Sequence, residues 1–268
     1  MEIIVGAASD KGNVKEINQD NFFIKIYEDA TGDCAIFAMC DGMGGLTHGE
    51  VASSIAVKHF REWFEENYEN ILNKQSEEIL SMMSIAISDI NKKIIKYGEK
   101  ISSKVGTTAS VLIIMGNRYY IVHVGDSRIY KVNKQLVQIT KDHSFVAMSV
   151  LNKTMTSEEA KHSPRKNVLT QCVGVKAHID PYTTIGKVVE NDFFILCCDG
   201  LYNKLEEKEM LGEIRKLRDI DSDVLQQCSE KCVNIVKDRG ERDNISMIIV
   251  WISSEENFIS KLKKYVGL

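Results

Sequence analysis

The sequence predicts a layered fold in which antiparallel strands form the middle and long helices pack outside. Three observations predict it. Nine apolar runs rich in Ile, Val, Phe and Tyr recur along the chain, bounded by Gly, Asp or Asn. Several follow one another too closely for a crossover helix, which favours antiparallel pairing over a strict βαβ wind. Three long segments carry apolar residues at helical spacing, and such faces need a sheet to cover. Only two prolines, at 164 and 181, and no Gly/Ser-rich linker interrupt the 268 residues, so one continuous domain is expected.

The first runs are 2–8, 21–27 and 34–40. A helix then begins at THGE, where Thr47 can cap and Glu50 can reach back as a capping box. Its apolar face is Ala52, Ala56, Phe60, Trp63 and Phe64. A second helix runs from Ser76 to about Tyr97, with Ile79, Leu80, Met83, Ala86, Ile87, Ile90 and Ile94 as its stripe and Gly98 as its stop. The Met and aromatic positions of both helices read as core. Runs at 108–115 and 118–124 meet at MGNRYY, a hairpin turn, and 128–133 follows. Residues 141–177 are polar and read as a surface excursion with short helices; TSEE at 156–159 is another capping box. Runs at 179–188 and 192–198, a third long helix at about 221–237 and a strand at 244–252 complete the domain, 1–253. The segment 254–268 brings Phe258, Leu262 and Tyr265 together as a C-terminal helical extension, expected to dock on the domain's own surface rather than on a membrane.

Composition narrows the function. Hydrophobic residues make up 44% and charged residues 27%, an ordinary soluble balance. The net charge of −4 argues against nucleic acid as the main partner, because phosphate backbones call for clustered Lys and Arg. No apolar stretch approaches the ~20 residues that span a bilayer. MEIIVGAAS lacks a charged n-region and a cleavage motif. The seven cysteines, two of them adjacent at 197 and 198 within an apolar strand, read as reduced core residues of a cytoplasmic protein. Cys228 and Cys232 lie four apart in a helical pattern, but no second Cys/His pair matches them as a metal set.

Two of the apolar runs, IFAMCDGMGG at 36–45 and FFILCCDGLY at 193–202, end abruptly on Asp-Gly. A strand that ends so holds a carboxylate rigidly at the rim of the core. Asp41 and Asp199 do this, Asp126 follows the strand of IVHVGDSRIY, Asp243 precedes the strand of RDNISMIIVWI, and Asp20 opens the strand of INQDNFFI. Any one of them is an ordinary turn residue. Five together at strand ends would repel one another unless protons are shared or cations bound. Oxygen donors without a His/Cys set favour hard ions, Mg2+ or Mn2+. The glycines after Asp41 and Asp199 allow close backbone approach, and the Gly42 carbonyl is a further candidate ligand.

The ordered motifs SDKGNVKEINQD, CDGMGG with THGEVAS, GTTAS, VGDSRIY, CDGL and RDNIS resemble the metal-dependent serine/threonine protein phosphatases of type 2C in their compact bacterial-like form. The resemblance covers residues 5 to 252. It implies an α+β fold, a sandwich of two antiparallel β-sheets flanked by α-helices in four αββα layers, with a flap at about 141–177. It implies two core Mn2+ or Mg2+ ions. Asp41 would bridge them and Gly42 would offer its carbonyl, Asp199 and Asp243 would hold the first, and Asp20 would support a water ligand or its neighbours. Asp126 would share a weaker third ion with Asp199, and Thr107 and Thr108 would be structural. The implied reaction is hydrolysis of phosphoserine and phosphothreonine in proteins by direct attack of metal-bound water or hydroxide, without a phosphoenzyme. The implied partners are phosphoproteins, including a serine/threonine kinase, met by a cytoplasmic monomer. Intact Asp41, Asp199 and Asp243 favour this enzyme over a pseudophosphatase, a binding module of the same fold; small phosphoesters are the other substrate class left open.

The chain departs from the family pattern at three places. Lys15 stands where many members have the Arg that grips substrate phosphate, and offers a point charge rather than a fork. Gln19 replaces a Glu, removing a charge. Met43 replaces the suspected general-acid His of eukaryotic members; His48 and His143 are nearby histidines that read as polar or structural. In the flap, Lys153, Lys161, Arg165 and Lys166 are candidates for meeting substrate and otherwise solvated.

Overall fold

The apolar runs pair into two five-stranded sheets in the computed structural model, which describes residues 1–27, 34–43 and 48–253. One sheet has the order β1 (Glu2–Asp10), β10 (Ile245–Ser253), β9 (Phe193–Cys197), β6 (Arg128–Val132) and β7 (Leu136–Gln138). The other has β2 (Asp20–Tyr27), β3 (Cys34–Asp41), β4 (Ala109–Met115), β5 (Arg118–Val124) and β8 (Tyr182–Lys187). Every pairing is antiparallel.

The two-residue side-chain period of a strand explains the layers. In β3, Cys34, Ile36, Ala38 and Cys40 face a core shared with α1 (Gly49–Ile71) and α2 (Ser76–Lys100). The intervening Ala35, Phe37 and Met39 face a second core, between the sheets, with Phe194, Leu196, Ile248 and Val250. The other parity of β9 and β10, with Ile195, Cys197, Met247 and Ile249, meets α6 (Glu207–Lys216) and α7 (Ser222–Asp238). Strands buried on both faces read as unbroken apolar runs, which is why the sequence showed them so clearly. The result is the four-layer αββα sandwich of the α+β class. Short helices α3 (Phe145–Leu151) and α4 (Ser157–His162) lie in the polar excursion, and Thr156 and Glu159 form the expected capping box. The hairpin at MGNRYY closes through Gly116 and Asn117, with Met115 opposite Arg118 and Gly116 at φ +55°.

Four local expectations change. The N-cap of α1 is His48, in the left-handed region, and Glu50 bonds to Gln19 instead of capping; Thr47 lies outside the described residues. Gly98 is not the stop of α2, which continues to Lys100. It is buried against the Ser103 carbonyl, so closely that a Cβ there would collide with it. Strand β7 escaped notice because it is a three-residue edge with Val137 half exposed. Helix α6 escaped because only Met210 and Ile214 are buried on it. Residues 254–268 lie outside the described residues.

Candidate metal centre

Antiparallel geometry gathers the acidic motifs at one edge of the sandwich. Strands β3, β5 and β9 run towards that edge; β2 and β10 run away from it. Asp20 and Asp41 are direct register partners, the first residue of β2 opposite the last of β3. Asp199 opens α5 (Asp199–Tyr202) immediately after β9, and Asp243 lies two residues before β10. The sheets are tied together here: the Ser246 hydroxyl of β10 donates to Asp20 Oδ2 at 2.6 Å.

Each carboxylate is fixed through its backbone. Asp41 N–H donates to Thr108 Oγ1 at 2.9 Å, and its carbonyl accepts from Thr107 Oγ1 at 2.9 Å and Thr108 N–H at 2.8 Å. The two threonines are structural, as the motif implied. Gly42 lies against Gly49 and Gln19, and Gly200 against the Asn244 carbonyl, so closely that a Cβ at either would collide with backbone. Asn244 staples the loop at 11–19. Its Oδ1 accepts the Gln19 N–H at 2.9 Å, and its Nδ2 donates to the carbonyls of Lys11 and Ile17. Asp126 is held by the Tyr202 hydroxyl, which donates to its carbonyl at 3.1 Å. The preceding Gly125 exchanges two bonds with His143, its N–H donating to Nδ1 at 3.2 Å and its carbonyl accepting the backbone N–H at 2.7 Å.

The electrostatics are those of crowded, dried carboxylates. Burial pushes Asp20 up to about 6 against the pull of the Ser246 hydroxyl. Burial, with the charge of Asp142, pushes Asp126 up to about 7. Asp41 and Asp199 lie well above the usual carboxylate range, first through burial and then through the surrounding aspartates. Lys15 is the ion-pair partner found for the five among the described residues, its Nζ 2.9 Å from Asp243 Oδ1. Asp20 Oδ1 is buried with no hydrogen-bond partner. An orphaned, buried carboxylate oxygen at an edge shared with buried Asp126 and half-buried Asp41 and Asp199 fits a bound cation, and all-oxygen donors fit a hard one. A cleft of about 600 Å³ opens beside Asp126 and Asp199, walled by Tyr202 and by Lys161 and Lys166 of the excursion.

Residues 11–235 match the family model described as protein phosphatase 2C. The chain belongs to the protein phosphatase 2C family. It is 30% identical to the serine/threonine phosphatase stp of Listeria welshimeri over 256 residues, 94% of this chain and 96% of that one. It is 31% identical to protein phosphatase PhpP of Streptococcus pneumoniae over 258 residues, 94% and 98% of the two chains. The structure of the S. agalactiae serine/threonine phosphatase superposes with a TM-score of 0.82 at 29% identity, covering 94% of this chain and all of the other.

Within this 2C-family phosphatase the remaining candidates fall into place. Gln19 Nε2 donates to Glu50 Oε2 at 3.2 Å. His48 stands half exposed, Nδ1 3.5 Å from Glu50 Oε1. His143 is a structural clamp, since its Nδ1 is occupied by the Gly125 N–H and its ring stacks on buried His123 at 5.3 Å. Arg165 lies over the Phe145 ring at 3.6 Å, packed within the excursion rather than reaching the cleft. Asn244, Ser246 and Tyr202 are functional supports that sequence reasoning missed. The signal for Asn244 was its place beside Asp243 in RDNIS; Ser246 and Tyr202 carried none. Because His48 leans on Glu50 at a helix entry, His48→Ala is expected to leave hydrolysis of an aryl phosphate and a phosphopeptide within about twofold of the original. A large loss on the phosphopeptide alone would identify His48 as the leaving-group acid.

Proposed function

We propose that the acidic edge of this serine/threonine protein phosphatase holds two core divalent ions, Mn2+ or Mg2+, and a weaker third. Asp41 would be shared by the core ions, with the Gly42 carbonyl as a further ligand; Asp199 and Asp243 would hold the first, Asp20 would support a water ligand or its neighbours, and Asp126 would share the third with Asp199. When bound, such ions lower the pKa of water towards ~7–9 and screen phosphoryl oxygens. The observation that carries the reading is the set of four carboxylates gathered at one edge, Asp20 and Asp126 buried and Asp41 and Asp199 half-buried, all raised by desolvation, with Asp20 Oδ1 left unpartnered.

The chain's own residues supply placement. The strand ends hold the carboxylates, and the threonine and Asn244 bonds fix their backbones before substrate arrives. The cleft beside Asp126 receives the phosphoprotein segment, and Lys161 and Lys166 line it. Lys15, already at the rim on Asp243, is the residue that meets substrate phosphate. The substrates include a serine/threonine kinase, and the protein acts as a cytoplasmic monomer without nucleic acid or membrane partners. No helix among the described residues is long and apolar enough to cross a membrane. Residues 1–253 form the catalytic domain with its flap at 141–177, and 254–268 an extension.

Hydrolysis of a phosphothreonine peptide with Mn2+, with Mg2+ and in chelator tests the reading; full turnover in excess chelator would sink it. Lys15→Ala is expected to raise KM about tenfold, the size of a lost charged hydrogen bond of ~1.5 kcal/mol, with a smaller effect on kcat. Lys15→Arg is expected to lower KM through a two-pronged grip. An unchanged KM in Lys15→Ala would leave the residue as a partner of Asp243 alone.

A further inference from the structure

The cysteines four residues apart in the third long helix take no part in the acidic edge. Cys228 and Cys232 lie one turn apart on the buried face of α7, in the core it shares with α6, β9 and β10. Both are free thiols. Cys228 is 5% exposed and Cys232 1%, so the pair is reached through Cys228. The Cys232 thiol donates a hydrogen bond to the Cys228 sulfur, which holds Cys228 below the usual thiol range and pushes Cys232 above it. Lys231 and Lys216 bring positive charge to the same sulfur.

Helical spacing decides what such a pair can hold. Residues four apart on a helix have their Cβ atoms ~5–6 Å apart. A disulfide needs ~3.5–4.5 Å, so closing one would unwind α7. That helix is anchored along its length. Asp221 accepts the Val224 N–H at 2.8 Å, Gln226 accepts the Ala7 N–H at 3.1 Å, and Lys237 meets Asp10 at 2.8 Å. A single atom seated between the two sulfurs fits the wider gap. Zinc asks for four ligands. The carboxylate near the thiols, Glu213, already accepts from Lys216 and Lys231, and it completes no three-donor cluster with them among the described residues. We propose that Cys228 and Cys232 form a site for a soft, two-coordinate ion, Cu(I), held in line between their sulfurs. Thiolates select this ion over the hard ions of the acidic edge. On binding, each thiol releases its proton to solvent and each freed sulfur lone pair goes to the metal, which stays Cu(I) throughout. The bis-thiolate complex carries one net negative charge, and Lys231 and Lys216 lie beside it to offset that charge. None of this rests on the proposed function.

Titration of the full chain with Cu(I) in oxygen-free buffer, against the coloured chelator bicinchoninate, tests the site. The protein is expected to withhold one equivalent from the chelator. Cys228→Ser and Cys232→Ser are each expected to surrender it, and Cys172→Ser, at the half-buried cysteine of the excursion, to keep it. A second arm needs no variant to fold. One equivalent of Cu(I) is expected to protect Cys228 and Cys232 together from alkylation by iodoacetamide, mapped by peptide mass, while Cys172 reacts as before. No equivalent withheld, one that survives either substitution in the helix pair, or protection that falls on other cysteines overturns the proposal. So does a Cys228–Cys232 disulfide formed by hydrogen peroxide with helix content unchanged, because the sulfurs would then close on each other without a bridging atom.

Discussion

Asp41→Asn is expected to cut phosphothreonine-peptide turnover about a thousandfold or more, because the metals supply several kcal/mol of transition-state stabilisation. The same change is expected to stabilise the metal-stripped protein at pH 7.5. Asp41 is held well above the usual carboxylate range by burial and then by Asp20, Asp199, Asp126 and Asp243, so its ionised form opposes folding. The sign follows from linkage. A carboxylate whose folded pKa is raised has its stabilising effect fully present below ~3.9, and that effect fades as pH rises through the folded value. Metal-free protein should therefore lose stability from about pH 4 upward, through the values near 6 for Asp20 and 7 for Asp126. The Asp41→Asn substitution should flatten that loss, and Tm should rise about 2–4 °C for each kcal/mol relieved. Thermal melts from pH 4 to 8, with chelator and with Mn2+, decide it. A lower melting temperature for the metal-free variant at pH 7.5 would show that the cluster is not strained by its own charge.

Asp126→Ala is expected to lower kcat on a phosphopeptide about a hundredfold, the scale of one lost general acid–base contribution, while KM changes little. Asp126 is only 8% exposed at the cleft, its carbonyl held by Tyr202 and its loop by His143. It is therefore as rigidly aimed as Asp41. In the proposed ligand set the core ions already have Asp41, Gly42, Asp199 and Asp243, so calorimetry should still find two tight ions in the variant. A third ion sharing only Asp199 would keep most of its waters and bind weakly even in the original protein. Wild-type kcat in Asp126→Ala would reduce the residue to a turn carboxylate. Loss of the tight pair would place it among the core ligands instead.

The strands and the acidic edge were legible for the same reason. Strands such as β3 and β10 are buried on both faces and so leave unbroken apolar runs, and the aspartates punctuate those runs at their ends. The hairpin at Gly116 could be read because its turn residues are local. What stayed hidden depended on partners far apart in the chain. Ser246 meets Asp20 across the sandwich, Tyr202 meets the Asp126 carbonyl, and the ion pair of Lys15 with Asp243 joins the first loop to the last strand's approach. Local rules also misread two places where tertiary packing overrode them. Gly98 reads as a helix stop but is a contact point, and the entry to α1 uses a left-handed His48 with Glu50 turned away to Gln19.

The place of β10 in its sheet has a consequence for timing. It is the last strand of the domain, yet it lies between β1, the first, and β9, and pairs with both. It brings in Ser246, the anchor of Asp20, and its approach brings in Asp243 and Asn244. A chain still emerging from the ribosome therefore lacks both the strand that joins its two ends and one carboxylate of the centre. Such long-range pairing closes late, since its loop entropy must be met before its contacts form. A chain cut before β10 and its approach is therefore expected to show no phosphatase activity, since it lacks the strand that joins its two ends and carries no Asp243.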